Sequence, residues 1–229
     1  MLILAFETSA KAGSVALMDD GKLLGESYQN TGLTHSQTLL SMAQSLVESC
    51  GYTPQQVEAV AVAAGPGSFT GVRIGVAAAK GFAWGGDLPC YGVSTLEAMA
   101  LNLGIWQGYV VCAMDARRSQ VYNAIFRAEQ GILSRVCEDR AISLEELAEE
   151  VKALNGPCFL VGDGSVLCQK AIPTMILPPE HRMHQRAAGV GLAAWNAIQA
   201  GLPGDGATLE PNYLRLSQAE RERLEKEQK

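Results

Sequence analysis

The chain predicts an α/β fold made of two copies of one β-β-β-α-β-α unit, about a hundred residues apart and facing each other across a cleft. Three observations carry the prediction. An apolar run closed by an acidic residue occurs at residues 2–7 and again at 109–115. A hairpin signal and a returning strand follow each run. Each series then passes through a capped helix to a short apolar strand and a glycine-rich loop, at residues 65–70 and 162–164.

The first copy reads in order. Residues 2–7 run apolar without a break up to the closing Glu7, as in a strand covered on both faces. Residues 14–18 alternate, Asp19-Asp20-Gly21 supplies a hairpin turn, and residues 22–28 return. Thr34-His35-Ser36-Gln37 has capping-box spacing. Leu39, Met42, Leu46, Val47 and Cys50 then recur at helical spacing until Gly51 stops the helix. Residues 57–64 predict a strand, the glycine loop follows, and a helix spans about 71–84. Residues 91–93 are a further strand, and Ser94-Thr95-Leu96-Glu97 caps a helix that ends near Gly104.

The second copy repeats the order. Residues 109–114 end at Asp115 as the first run ends at Glu7, residues 119–126 alternate, Glu129-Gln130-Gly131 turns and 132–137 return. Ser143-Leu144-Glu145-Glu146 caps a helix, and residues 158–161 lead into Gly162-Asp163-Gly164. This is the plan of actin, Hsp70 and the sugar kinases, a duplicated ribonuclease-H-like fold. An ordinary α/β domain with coincidental order is the competing reading. The expected division is a first subdomain at 1–104, a second at 105–216, and a tail at 217–229 dense in Glu, Lys and Arg.

Composition narrows the function. Apolar residues make up 48% and charged residues 18% of 229 positions, which suits a globular chain with a real core. No apolar run approaches the roughly 20 residues that span a bilayer. The N-terminus has no basic residue ahead of its apolar run and Glu7 directly behind it, so it reads as a first strand rather than a leader. Six cysteines stand singly, without a CxxC pair, and read as small core hydrophobes in a reducing cytoplasm. The net charge of −6 leaves no basic face with which to grip RNA phosphates unaided.

The strongest local feature is Gly65-Pro66-Gly67-Ser68-Phe69-Thr70-Gly71-Val72-Arg73-Ile74-Gly75. Strand, glycine loop and helix start together suit an anion, since unpaired N–H groups and the positive helix end point into such a loop. The string is neither a P-loop nor a dinucleotide fingerprint. The helix behind it is thin along one side, at Gly71, Gly75, Ala78, Ala79 and Gly81. Helical glycine costs up to about 1 kcal/mol against alanine, so a closely approaching second element should offset it. That element belongs either to this chain or to another subunit, and the sequence leaves both open.

Glu7-Thr8-Ser9 and Asp115-Ala116-Arg117-Arg118 stand at the two strand ends that would project into the cleft. With Gly65, Gly67 and Ser68 they form a vestigial nucleotide or anion site. It lacks the glycine usually needed beside a phosphate in the first loop and carries arginines beside the acid in the second. Structural roles for Glu7 and Asp115, paired with Arg73 or Arg117, are the alternative. His35, His181 and His184 read as capping or surface residues, with no third ligand to make a metal site.

The opening seventeen residues, His35-Ser36-Gln37-Thr38-Leu39-Leu40, the string at 65–75, Gly92-Val93-Ser94-Thr95-Leu96, Asp115-Ala116-Arg117-Arg118 with Val121-Tyr122, and Pro211-x-Tyr213-Leu214-Arg215 resemble the TsaB (YeaZ) family. The likeness is dense over residues 1–125 and thin beyond, apart from the last motif. The resemblance implies an actin-like relative of TsaD, the subunit that transfers threonylcarbamoyl to the tRNA adenosine beside the anticodon. It further implies a heterodimer with TsaD, joined by the ATPase TsaE, that reaches tRNA through the complex. The catalytic relative's H-x-x-x-H metal motif falls here on Thr95 and Met99, so this chain is expected to hold no metal and to act by docking.

Family and residues together place the partner surface on His35, Leu39, Met42, Gly71, Arg73, Gly75, Ala78, Ala79 and Phe82. Gly75→Leu or Ala78→Glu is expected to abolish the heterodimer and leave the monomer folded. Homodimerisation through the same patch is expected when the partner is missing. No cofactor is assigned to this chain, and any ATP or ADP is expected at the interface of the complex. An active small-molecule kinase or ATPase is the alternative function. A hydrolase finds no Ser/His/Asp or zinc motif in support.

Overall fold

The computed structural model describes residues 1–215, and the expected tail at 217–229 lies outside them. Five strands build the first sheet: β1 (Leu2–Glu7), β2 (Gly13–Asp19), β3 (Lys22–Gln29), β4 (Ala59–Gly65) and β5 (Cys90–Ser94), in the order β3-β2-β1-β4-β5. The first three pair antiparallel, while β1–β4 and β4–β5 are parallel. Buried on both faces, β1 and β4 are apolar throughout their interiors.

The second sheet repeats the plan with β6 (Gly108–Arg117), β7 (Gln120–Glu129), β8 (Ile132–Arg135) and β10 (Cys158–Val161) in the order β10-β6-β7-β8. The order around β6 mirrors that around β1, which is the duplication the sequence predicts. One strand has no sequence expectation. β9 (Arg140–Ser143) pairs with Gln120–Asn123 of β7, beside the stretch taken by β8. The counterpart of β3 is therefore split in two. Asp139, in the break, accepts from Arg135 Nη1 at 2.6 Å and from Ser94 Oγ at 2.5 Å, and the Arg135 guanidinium lies over Phe126. That cluster pulls the chain off the sheet edge.

The helices complete five layers. α1 (His35–Ser49) and α2 (Phe69–Gly86) cover one face of the first sheet, burying Leu39, Met42, Leu46, Val72 and Val76 against Leu4, Phe6, Val60 and Val62. α4 (Leu144–Lys152) and α5 (Ser165–Ala171) cover the outer face of the second sheet. Between the sheets lie α3 (Thr95–Leu103), whose Leu96, Met99 and Ala100 pack on Val110, Cys112 and Phe126, and α6 (Ala187–Gln199). α6 also has no sequence expectation. Although it follows the second sheet in the chain, it packs on β1, β2 and β4. Glu26 of β3 receives its start, accepting from Arg186 Nε at 2.9 Å and from the Ala188 amide at 3.1 Å.

Capping separates helices that look alike in sequence. Ser143 and Glu146 close a full capping box, with reciprocal bonds of 3.1 and 3.2 Å. Ser94 accepts from the Glu97 amide, but the Glu97 carboxylate turns to Arg135. Thr34 is the N-cap of α1 by backbone position and its side chain makes no cap bond, so the expected box there is not formed. Ser143→Ala should therefore cost about 1 kcal/mol in urea unfolding, and Thr34→Ala only a few tenths. Equal losses would show that the two caps are equivalent.

The six cysteines are free, four of them buried. Burial pushes the thiols of Cys90 and Cys168 up to about 11 and about 12, as inert core residues require. Among the described residues no helix is long and apolar enough to cross a membrane.

Candidate functional site

A cleft of about 540 Å³ opens where β1 and β4 end on one side and β6 and β10 end on the other. Of the two predicted strand-end acids, Asp115 lines this cleft and Glu7 lies sealed behind its wall. Glu7 is fully buried. Its Oε1 accepts the Ser9 amide at 2.5 Å, and its Oε2 makes no well-formed hydrogen bond. Burial pushes this carboxyl up to about 7, opposed by bonds to Ser9 and reinforced by the charge of Asp163. Asp163, after β10, is exposed at the cleft, and desolvation by the protein around it raises its pKa, against the pull of the Gln185 amide at 2.9 Å.

Asp115 accepts the Arg117 amide at 2.7 Å, and its other oxygen faces Arg117 Nη1 at 3.5 Å. The pairing offered for Asp115 therefore forms. Glu7 reaches neither Arg73 nor Arg117, being sealed beneath the loop. Arg117, Arg118 and Ser119 all take left-handed backbone, with φ of 67°, 55° and 57°. Each such residue is costly without glycine, and the Asp115 bond to the Arg117 amide offsets part of that cost.

The glycine motif turns out to be packed from within the chain. A Cβ at Gly65 would meet the Asn212 carbonyl at 2.6 Å, one at Gly67 the Ser9 carbonyl at 2.5 Å, one at Gly71 the Thr8 carbonyl at 2.1 Å, and one at Gly75 the Thr8 hydroxyl at 2.3 Å. The Ser68 amide donates to the Ser9 carbonyl at 2.6 Å, and Ser68 Oγ accepts the Gly71 amide at 3.3 Å. The room that glycine leaves is thus taken by the end of β1 and by Asn212, and part of the expected anion loop is bonded internally.

This corrects the partner-surface residues read from sequence. Leu39, Met42, Gly71, Gly75 and Ala79 are buried, and Ala78 and Phe82 are half-buried against the first core. His35 is half-buried, with Nε2 2.8 Å from the Ala10 carbonyl. Of the residues named, only Arg73 is fully on the surface. The thin face of α2 serves the internal packing, so Gly75→Leu cannot leave the monomer intact. The outward face of α2 carries Arg73, Ala77, Gly81 and Trp84, with Leu40 of α1 also exposed.

The remaining histidines stay apart, His184 bonding Glu180 at 2.9 Å. Among the described residues no group of three His, Cys, Asp or Glu side chains is placed to hold a metal ion. Thr95 and Met99 are both buried in the α3 core, Met99 against the second sheet.

The mouth of the cleft is crossed by residues whose role single-element reading misses. Asn212 donates its amide to the Ala64 carbonyl at 2.6 Å. Tyr213 stacks on Phe69 with centroids 4.6 Å apart, and its hydroxyl accepts Arg73 Nε at 2.7 Å. Arg215 Nη1 reaches the Ala116 carbonyl at 2.5 Å. The only signal for them was the string Pro211-x-Tyr213-Leu214-Arg215 itself.

Two β-sheets of matching order around a shared helical layer define the actin-like class. The dehydratase activator of Clostridium difficile solved with ADPNP has the same fold, at a TM-score of 0.51 and 10% identity over 88% of this chain and 97% of that one. YeaZ from Pseudomonas aeruginosa is far nearer, at TM-score 0.79 and 28% identity over 93% and 99%. The family model for TsaD, tRNA N6-adenosine threonylcarbamoyltransferase, matches residues 29–222. "tRNA threonylcarbamoyladenosine biosynthesis protein TsaB" of Bacillus subtilis (strain 168) is 31% identical over 98% of this chain and 99% of that protein. The protein of the same name from Escherichia coli (strain K12) is 38% identical over 72% of each. The chain belongs to the TsaB (YeaZ) family, within the wider group that the TsaD model describes.

Proposed function

We propose that this chain is a non-catalytic subunit in the biosynthesis of tRNA threonylcarbamoyladenosine, and that it acts by binding a TsaD-like transferase together with a TsaE-like ATPase. The observation that carries the reading is the end-to-end likeness to the Bacillus subtilis protein. The site chemistry supports it: the helix positions where the transferase relative carries imidazoles hold the buried Thr95 and Met99, and neither offers a borderline metal a suitable ligand. The acidic chain would meet tRNA through its partners. The relatives' names do not favour an active small-molecule kinase.

The proposed docking surface is the outward face of α2 with the exposed part of α1, and self-association through it would occur when the partner is missing. Ala77→Glu sets a bulky charged side chain in the middle of that face without touching the core. Calorimetry with the TsaD-like partner should show at least a roughly tenfold loss of affinity, with an unchanged circular dichroism spectrum. Undiminished binding would remove α2 from the interface. Depleting the protein should lower threonylcarbamoyladenosine in bulk tRNA, and an unaltered level would remove it from the pathway.

A further inference from the structure

Opposite the helical layer that joins the two sheets, the cleft mouth is bridged by one short segment. Upstream of it, Lys80 of α2 donates to the Ala207 and Leu209 carbonyls at 3.3 and 3.0 Å, so the chain is already pinned along α2. It then bonds the first half through the Asn212 amide on Ala64 and the Tyr213 ring on Phe69. Two residues later it bonds the second half, with Arg215 Nη1 on the carbonyls of Ala116 and, at 3.4 Å, Arg117.

We infer that Asn212–Arg215 is a clasp that ties the two halves across the mouth and holds the cleft at its observed opening. Three features of the molecule converge on it. The Arg215 guanidinium meets the second half at the head of the left-handed run Arg117-Arg118-Ser119, where the backbone carries strain. Glycine at 65 lets the Asn212 carbonyl come within 2.6 Å of where a Cβ would stand, so the motif strand is shaped to seat this segment. A guanidinium donating to main-chain carbonyls is a charge-assisted bond, among the stronger non-covalent ties a surface segment can make.

Hydrogen exchange of the full chain followed by mass spectrometry tests it. Arg215→Ala removes the tie to the second half only. Exchange should rise roughly tenfold both in the turn at 117–120 and, on the far side of the cleft, in the loop at 65–68, while β4 and α6 remain protected. Arg215→Lys, which retains a cationic donor, should fall between that variant and the parent. A rise confined to residues 209–215, or to one half alone, would overturn the clasp. So would a uniform rise over the whole chain, since Arg215 would then be a general stability contact. Tyr213→Phe preserves the stack on Phe69 and should leave both loops within about twofold of the parent. A loss of protection in both loops as large as that of Arg215→Ala would place the tie at the hydroxyl and overturn the assignment to Arg215.

Discussion

Gly71→Leu is expected to abolish the soluble native fold or to cost more than about 3 kcal/mol in urea unfolding. The reason is geometric. A Cβ at Gly71 would stand 2.1 Å from the Thr8 carbonyl oxygen, and that atom is backbone at the end of a central strand, with no rotamer to retreat into. Thr8 Oγ1 also donates to the Gly71 carbonyl at 2.8 Å, so any shift of α2 away from β1 breaks that bond as well. Gly71→Ala regains up to about 1 kcal/mol of helix propensity and should still destabilise, because the overlap begins at Cβ. Gly81, on the same helix, has nothing within 4 Å of a built Cβ, and Gly81→Ala should be neutral or stabilising. If Gly71→Ala and Gly81→Ala behave alike, the close approach of α2 to β1 is wrong.

Glu7→Gln should stabilise the protein by roughly 3 kcal/mol above neutral pH and alter it little near pH 5. Glu7 has an ordinary value of 4.5 and is pushed up to about 7 by burial. The folded state therefore binds a proton that the unfolded chain releases more readily. The sign follows from that difference. Below pH 4.5 both states hold the proton and the group costs nothing. As pH rises from 4.5 towards 7 the unfolded state gains by ionising, so stability falls. Above 7 the loss levels off. Glutamine preserves the acceptor that Oε1 offers the Ser9 amide at 2.5 Å and removes the charge. Urea titrations of both proteins at pH 5 and pH 8 are decisive: the parent should lose several times more stability over that interval. Parallel pH dependence would mean that Glu7 titrates as an ordinary exposed acid.

Much of the architecture is legible in local pattern. The apolar runs at 2–7 and 158–161, the turns at Gly21 and Gly131, and the paired acids at strand ends record themselves within a few residues, because strand burial and turn backbone are short-range requirements. β9 was not legible, since four residues with one buried apolar side chain, Ile142, offer no period to read. α6 had a signal, a run of small residues at Ala187, Ala188, Gly189, Gly191, Ala193 and Ala194, but small residues mark close packing without naming the surface packed against. The same ambiguity misplaced the face of α2.

What the amino-acid sequence determined by itself was the duplicated α/β plan and the family, since both are written in residue order and local periodicity. The tertiary structure alone decided that Thr8 fills the space at Gly71 and Gly75, that α6 crosses to the first sheet, and that Arg215 spans the mouth. Those are contacts between residues dozens to well over a hundred positions apart. A small side chain, or a lone cation near a chain end, looks the same in sequence whichever surface eventually covers it.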